Sequence, residues 1–386
     1  MTEIVDFEDI RPFRDDEYRQ KAAELLKEPY FKAVISAVMP EVDYNLFGQK
    51  LLSLNSIKEF QNEISVAFLR KLVAETTSSV EEENIEVVEK NKNYLYISNH
   101  RDIVLDASFL CLVLHENGYD TCEIAIGDNL LALQWIKDLV RINKSFIVKR
   151  SVGVRQALEA AKQLSAYINH AINEKKQSVW IAQREGRAKD SNDRTQDALI
   201  KMLTLGSKDT IINAIRSLNI APVSISYEYD PCDSLKAYEL LQKKKNPNFK
   251  KSEKDDLVSM QTGIMGFKGT INYHFTPCIN DELDQINPEL DKAGILQSVS
   301  QIIDRHIHLN YRIYAINYIA YDLLYKTDRF AHEYDNEKRE KVEQYIQGQI
   351  SKLGEISNED YQYVYETMLQ MYSNPLKNKL EAERTA

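Results

Sequence analysis

The stretch NHRDIVLD, residues 99–106, contains side chains that could do acid–base chemistry. A histidine can remove the proton from a hydroxyl group that attacks a carbonyl carbon. A carboxylate on the other ring nitrogen would hold the required tautomer and stabilise the imidazolium that forms. We predict His100 as this base and Asp106 as its partner, with Asp102 on the same loop as the competing partner. The alternatives are a structural histidine and an Asp106 that only caps a helix.

A second segment predicts a site for an anion. Residues 141–150 contain four basic residues and no acidic one, although the whole chain has a net charge of −10. This local reversal of charge is what a phosphate group requires, whereas the alternative is an ordinary solvated surface. The basic residues are Arg141, Lys144, Lys149 and Arg150.

The sequence REGR at residues 184–187 could complete this anion site. A guanidinium group matches two phosphate oxygens at once, so Arg150 and Arg187 are the predicted direct contacts. Gly186 would let backbone N–H groups approach the ligand closely. Glu185 would either hold an arginine or accept a hydrogen bond from a hydroxyl group of the ligand.

The elements that position these residues follow from the apolar patterns. Strands alternating with helices predict an α/β fold: a mixed, mostly parallel sheet flanked by helices, with helical additions at both ends. Loops after parallel strands meet at one edge of the sheet, so the polar segments could share a cleft. The predicted strands are residues 85–88, 94–97, 123–126, 146–148, 178–182, 220–227 and 269–275.

Three regions follow from the change in pattern along the chain. Residues 1–84 read as an N-terminal helical region, residues 85–280 as the α/β catalytic domain and residues 281–386 as a C-terminal helical region. The lysine-rich residues 243–256 are predicted to form a solvated loop.

Four ordered blocks resemble the glycerophospholipid acyltransferase family, which includes glycerol-3-phosphate and lysophosphatidic acid acyltransferases. They are His100 with a following aspartate, the segment FIVKR ending at Arg150, the segment REGR, and Pro222 on a late strand. The family has four residues between the histidine and the aspartate, whereas five separate His100 from Asp106 here. For Pro222 the choice between shaping a pocket wall and plain packing stays open.

The resemblance implies transfer of a fatty acyl group from a thioester of acyl carrier protein or coenzyme A. The acceptor would be a hydroxyl of glycerol 3-phosphate or of a lysophospholipid. One alternative is O-acylation of another lysolipid, such as a lyso-aminolipid, and another is a catalytically silent membrane-surface or scaffold protein. No cofactor is expected, and no metal either, although His306 and His308 form a tempting pair. The predicted substrate-binding residues are Arg101, Lys149, Arg150, Glu185, Gly186 and Arg187.

Composition limits the partners and the location. The acidic net charge argues against nucleic-acid binding, and the four cysteines, without metal spacing or a signal peptide before them, predict reduced cytosolic thiols. Without an apolar run of about 18 residues, we expect a cytoplasmic protein that is peripheral on the cytosolic face of the membrane. The candidate contact surfaces are residues 29–32 and the tyrosine-rich residues 310–325, for which packing against the core is the alternative.

Overall fold

A computed structural model describes residues 6–131, 133–150 and 152–385. Within these ranges one seven-stranded sheet forms the centre, in the order β1-β7-β6-β2-β5-β3-β4. Neighbouring strands are parallel except β6 and β7, which are antiparallel. The strands are Ser79–Glu83 (β1), Leu95–Ser98 (β2), Glu123–Gly127 (β3), Ser145–Val148 (β4), Val179–Ala182 (β5), Ile220–Tyr227 (β6) and Thr270–Phe275 (β7).

The central strands are buried on both faces, as a parallel sheet covered by helices requires. Every residue of β2 and of β6 is buried. In the register Leu95 lies opposite Val179 of β5 on one side and Ile220 of β6 on the other. The predicted mixed, mostly parallel sheet flanked by helices is therefore confirmed, and β2 to β6 all end at the same edge.

One predicted strand is wrong. Residues 85–88 do not extend a strand, because Asn84 adopts a left-handed conformation (φ 64°) and Ile85–Val87 form a 3₁₀ turn. The strand in this region is β1, which the predicted helical region 1–84 includes. Its sequence SVEEE has no apolar alternation because it is an edge strand, and acidic side chains there protect the unpaired edge.

The N-terminal helices form a layer with its own apolar cluster, which contains Tyr18, Leu25, Phe47 and Phe60. A π-helical turn at Gln61–Ser65 joins the last two helices. Residues 1–5 of the predicted N-terminal region lie outside the described residues. The helices are Asp15–Lys27 (α1), Pro29–Val38 (α2), Tyr44–Ser53 (α3), Ile57–Phe60 (α4) and Val66–Thr76 (α5).

The helices between and after the strands cover the sheet. One face packs on α8, α9 and α13, and the other packs on α5 and α6. The predicted loop 243–256 is shorter than expected, since α11 extends into it and α12 begins within it. These helices are Leu105–Glu116 (α6), Gln134–Ile142 (α7), Val154–Asn173 (α8), Asp197–Thr204 (α9), Ile211–Arg216 (α10), Asp233–Lys245 (α11), Glu253–Met265 (α12) and Lys292–Leu309 (α13).

The last helices, together with α11, form a separate apolar cluster around Ile319, Ile346 and Met368. The tyrosine-rich residues 310–325 belong mainly to this packing. Among the described helices none is both long enough and apolar enough to cross a bilayer. The helices are Ala315–Tyr325 (α14), Asn336–Ser351 (α15) and Asn358–Thr385 (α16).

Candidate active site

His100 lies just beyond the end of β2, in the loop that leads to α6. Its Nδ1 is 2.8 Å from Oδ2 of Asp106, which is in the first turn of α6 and completely buried. The same carboxylate oxygen accepts hydrogen bonds from the backbone N–H of Arg101 (2.6 Å) and of Asp102 (3.0 Å). Asp106 therefore fixes both the imidazole and the loop that carries it. Of the two candidate carboxylates, it is the one in contact with His100.

Asp102 has a different task. Its Oδ1 accepts hydrogen bonds from the N–H groups of Val104 (2.9 Å) and Leu105 (2.8 Å), so it caps the start of α6. Burial, together with the neighbouring Asp106 carboxylate, raises the pKa of Asp102. The longer spacing between histidine and aspartate is accommodated in this capped turn.

The loop is tied to the sheet on its other side. The Asn99 side chain donates to the carbonyl of Ile225 and accepts from the N–H of Ile225, both at 2.8 Å. The His100 ring contacts the indole of Trp180 edge to face, with 5.8 Å between the ring centroids. Among the described residues, Nε2 of His100 has no hydrogen-bond partner. This nitrogen is therefore available to a ligand.

His100 lines a cavity of about 1200 Å³. Such a volume exceeds the usual range for small-molecule pockets, about 300–1,000 Å³. Most of its wall is aliphatic or aromatic and comes from α2, α5, α6, β3, α7 and α12. The cavity has the size and polarity for a long apolar chain.

Part of the wall of this cavity is cationic. Arg150 follows β4, and the segment 184–187 follows β5, so both come from the same sheet edge as His100. Gly186 has a φ of 67°, a conformation that residues with a Cβ rarely adopt. The Nη1 atom of Arg187 and the Nε atom of Arg184 are buried without a hydrogen-bond partner. These unpaired N–H groups are free to donate hydrogen bonds to the oxygens of an anionic group.

Residues 79–226 match the family model described as Acyltransferase. This segment is an acyltransferase-family domain. No curated protein matches the chain. A solved structure, the 1-acyl-sn-glycerophosphate (LPA) acyltransferase PlsC from Thermotoga maritima, is similar at 11% identity and a TM-score of 0.37, over 76% of this chain and 96% of that one. The family assignment rests on the sequence match alone.

The acyltransferase domain brings together several of the residues predicted from the sequence. His100, Arg150, Glu185, Gly186 and Arg187 all line the one cavity. The Arg150 guanidinium lies 3.8 Å from the Glu185 carboxylate, so the glutamate holds an arginine. The catalytic and binding roles of these residues, and of Asp106, stay predictions.

Two predicted binding residues of the domain do not line the cavity. Lys149 forms an ion pair with Asp9 and donates to Gln163 at 3.0 Å. The Arg101 guanidinium is buried in an ion pair with Asp193, 2.7 Å away, beneath the ring of Tyr311. Each cation is paired with a carboxylate on another element and lies outside the cavity wall.

Some residues that support the site were not selected from the sequence. Trp180 packs on His100, Arg184 lines the cavity, and Lys236 donates to the carbonyl of Arg101 at 2.8 Å. Lys236 is buried and also forms an ion pair with Asp230. Arg184 could have been selected from the sequence, because it belongs to the segment REGR. Lys236 could not, because its contact with Arg101 joins residues 135 positions apart.

The two histidines considered as metal ligands, His306 and His308, contact other groups of the protein. His306 contacts the Glu282 carboxylate, and His308 Nε2 lies 2.8 Å from the carbonyl of Asp193. In the part of the chain that the structure describes, no group of three or more His, Cys, Asp or Glu residues could hold a metal ion.

Proposed function

We propose that this protein transfers a fatty acyl group from a thioester of acyl carrier protein or coenzyme A to a hydroxyl of glycerol 3-phosphate or of a lysophospholipid, as a step of phospholipid biosynthesis. The observation that carries the proposal is the position of His100. Its Nε2 has no partner among the described residues, and the largely apolar cavity that His100 lines also contains the cationic side chains Arg150 and Arg187. An acyl chain would occupy the apolar part and the acceptor phosphate the cationic part.

The reaction then needs only groups already in place. His100 Nε2 removes the proton from the acceptor hydroxyl as its oxygen attacks the thioester carbonyl. The Asp106 carboxylate stabilises the imidazolium, while its backbone hydrogen bonds hold the loop. The tetrahedral intermediate expels the thiolate, which takes the proton from the imidazolium and leaves as a thiol. The products are an ester and the free thiol of the carrier.

The test is an assay of the purified protein with a labelled acyl thioester. Acyl carrier protein and coenzyme A donors are each combined with glycerol 3-phosphate, lysophosphatidic acid and a phosphate-free lyso-aminolipid. Transfer to the phosphorylated acceptors supports the proposal. Transfer only to the lyso-aminolipid would reassign the acceptor, and no transfer to any acceptor would favour a catalytically silent protein.

A matched variant tests the general base. His100→Ala should lower kcat by about 10²- to 10⁴-fold, the usual contribution of general-base catalysis. Its thermal unfolding should stay close to that of the wild type, because Asp106 keeps its two backbone hydrogen bonds. Full activity in a folded His100→Ala variant would refute His100 as the general base.

A further inference from the structure

The segment around α12 exposes an unusual number of large apolar side chains. Of the fourteen such side chains in the described residues, four fall between positions 257 and 267. Scattered single apolar residues are normal on a surface, but a cluster of this kind marks an interaction site. The four are Leu257 (48% exposed), Val258 (42%), Met265 (50%) and Phe267 (55%).

This cluster lies at the entrance of the catalytic cavity. Leu257 and Met265 line the cavity and are also exposed, as are Val34 of α2 and Leu133 just before α7. Side chains that face both the cavity and solvent mark its opening. The entrance is therefore surrounded by exposed apolar groups from three different elements.

The helix α12 also packs directly on the catalytic loop. A Cβ atom at Gly263 would lie 2.0 Å from Oδ2 of Asp102, so only a glycine permits this contact. The buried Lys268 side chain donates to the carbonyls of Ile264 (3.1 Å) and Gly266 (2.6 Å) and secures the end of the helix. The inner side of α12 is thus in contact with the loop that carries His100.

The charge around this helix is opposite to that of the chain. Residues 243–256 contain six lysines and three acidic residues, whereas the net charge of the protein is −10. Lys243 and Lys251 pair with Glu239, and Lys245 pairs with Asp360. The other three are exposed and make no ion pair with any described residue: Lys244, Lys250 and Lys254.

We propose that α12, with Phe267 and the lysine-rich segment before it, docks on an anionic lipid surface so that the catalytic cavity opens into the bilayer. The inference rests on the proposed function in one respect, namely that the acceptor and the product are amphiphiles. Apolar side chains that enter the acyl-chain region, beside lysines that reach lipid phosphates, are the pattern of an interfacial helix. A lipid surface accounts both for the apolar groups around the entrance and for the three lysines beside them that make no ion pair with a described residue.

The two surfaces suggested by the sequence differ in this respect. Tyr30 on α2 is 68% exposed, and α2 contributes to the entrance through Val34, so residues 29–32 can join the docking surface. In residues 310–325, Tyr311 is buried against Asp193 and Arg312 pairs with Glu81. Tyr325 at the end of that stretch is exposed but lies in the C-terminal helices. It serves as a control for the rival surface.

Sedimentation with vesicles tests the docking surface. Wild-type protein should bind phosphatidylglycerol-containing vesicles, bind neutral phosphatidylcholine vesicles less, and be released by salt. The charge reversal Lys244→Glu, Lys250→Glu, Lys254→Glu should weaken binding to anionic vesicles by about 100-fold or more, since each lysine contributes about fivefold. Val258→Asp with Phe267→Asp, which leaves the cavity lining intact, should weaken binding at least about tenfold.

Matched controls place the same changes elsewhere. Leu290→Asp with Tyr325→Asp removes two exposed apolar side chains, and the triple change Lys292→Glu, Lys326→Glu, Lys338→Glu reverses three exposed lysines. Both controls should bind vesicles like the wild type. The proposal fails if the controls lose as much binding as the α12 variants, or if the wild type binds no vesicles. Binding of acyl carrier protein instead of lipid by the α12 surface would also overturn it.

Activity on a dispersed, water-soluble acceptor separates this proposal from the proposed function. The Val258→Asp, Phe267→Asp variant should keep its turnover on such a substrate while losing vesicle binding. A wild type that binds vesicles through α12 but transfers no acyl group would retain the docking surface and refute the transferase. A wild type that transfers acyl groups without binding vesicles would support the transferase and refute the docking surface.

Discussion

The pairing of Asp106 with His100 can be tested by removing a single charge. Asp106→Asn keeps the size of the side chain, and its amide oxygen can still accept from the two backbone N–H groups that Oδ2 now serves, at 2.6 and 3.0 Å. What disappears is the negative charge beside the imidazole, 2.8 Å from Nδ1. The variant therefore separates the position of the loop from the electrostatics of the histidine.

The expected magnitude follows from this geometry. Two unit charges about 4 Å apart interact with about 4 kcal/mol at an effective dielectric constant of about 20. That is the stabilisation withdrawn from the imidazolium in the transition state, and it corresponds to about a 10³-fold loss in kcat. In Asp106→Asn the amide N–H₂ group takes the place of Oδ1, which is buried without a hydrogen-bond partner. The buried N–H₂ donors would then also lack partners, which should lower the free energy of unfolding by about 1–3 kcal/mol.

Asp102→Asn is the matched control. Asp102 accepts hydrogen bonds from Val104 and Leu105 at the start of α6, and asparagine caps a helix about as well as aspartate does. Its kcat should therefore stay within about tenfold of the wild type. The assay is thiol release at saturating donor and acceptor, with thermal melts to show that both variants fold. A thousandfold loss in Asp102→Asn with near-normal Asp106→Asn would refute the reasoning and make Asp102 the partner.

Three further outcomes are expected. Arg187→Ala should raise the KM for the acceptor much more than the KM for the donor, because it removes a contact with a phosphate present only on the acceptor; a rise in donor KM alone would assign the arginine to the carrier. Gly263→Ala should lower the free energy of unfolding by about 1–3 kcal/mol in urea melts, because the added Cβ clashes with Asp102. Its control, Gly348→Ala, should raise the free energy of unfolding by up to about 1 kcal/mol, because the space around the added Cβ is open. Burial, with the nearby Asp230, raises the pKa of Asp233 from 3.8 to about 7. The free energy of unfolding should therefore fall as the pH rises from about 4 to about 7, because the folded state binds the proton more tightly than the unfolded state. Asp233→Asn should make this fall shallower, and an unchanged pH dependence of the unfolding free energy would contradict the reasoning.

The order of the site segments and most of the fold were readable from the sequence because they depend on local patterns. The predicted strand at residues 220–227 coincides with β6, since an apolar run of that length has to be buried on both faces. His100, Arg150 and Arg187 share an edge because they follow parallel strands, and that rule needs no coordinates. The strand β1 was not predicted, because its acidic sequence has no apolar alternation. Its pairing with β7 also joins residues 191 positions apart, which no local pattern indicates.

The directions of individual side chains were decided only by the tertiary structure. Lys149 and Arg150 directly follow β4, and successive side chains along a strand point to opposite sides. In the structure Arg150 lines the cavity, whereas Lys149 faces Asp9. Arg101 carried a plausible charge next to the catalytic histidine, but Asp193, far along the chain, neutralises it in the interior.

The choice between Asp102 and Asp106 is the clearest case. Both lie on the loop of His100, and the sequence allowed either to be its partner. The turn before α6 decides between them, because its backbone N–H groups bind Asp102 Oδ1 as a cap and present Asp106 Oδ2 to the imidazole. The sequence alone determined which residue types meet at the end of β2. The folding of five intervening residues, held by Asn99 and by the packing of α12 on Asp102, determined which carboxylate contacts the histidine.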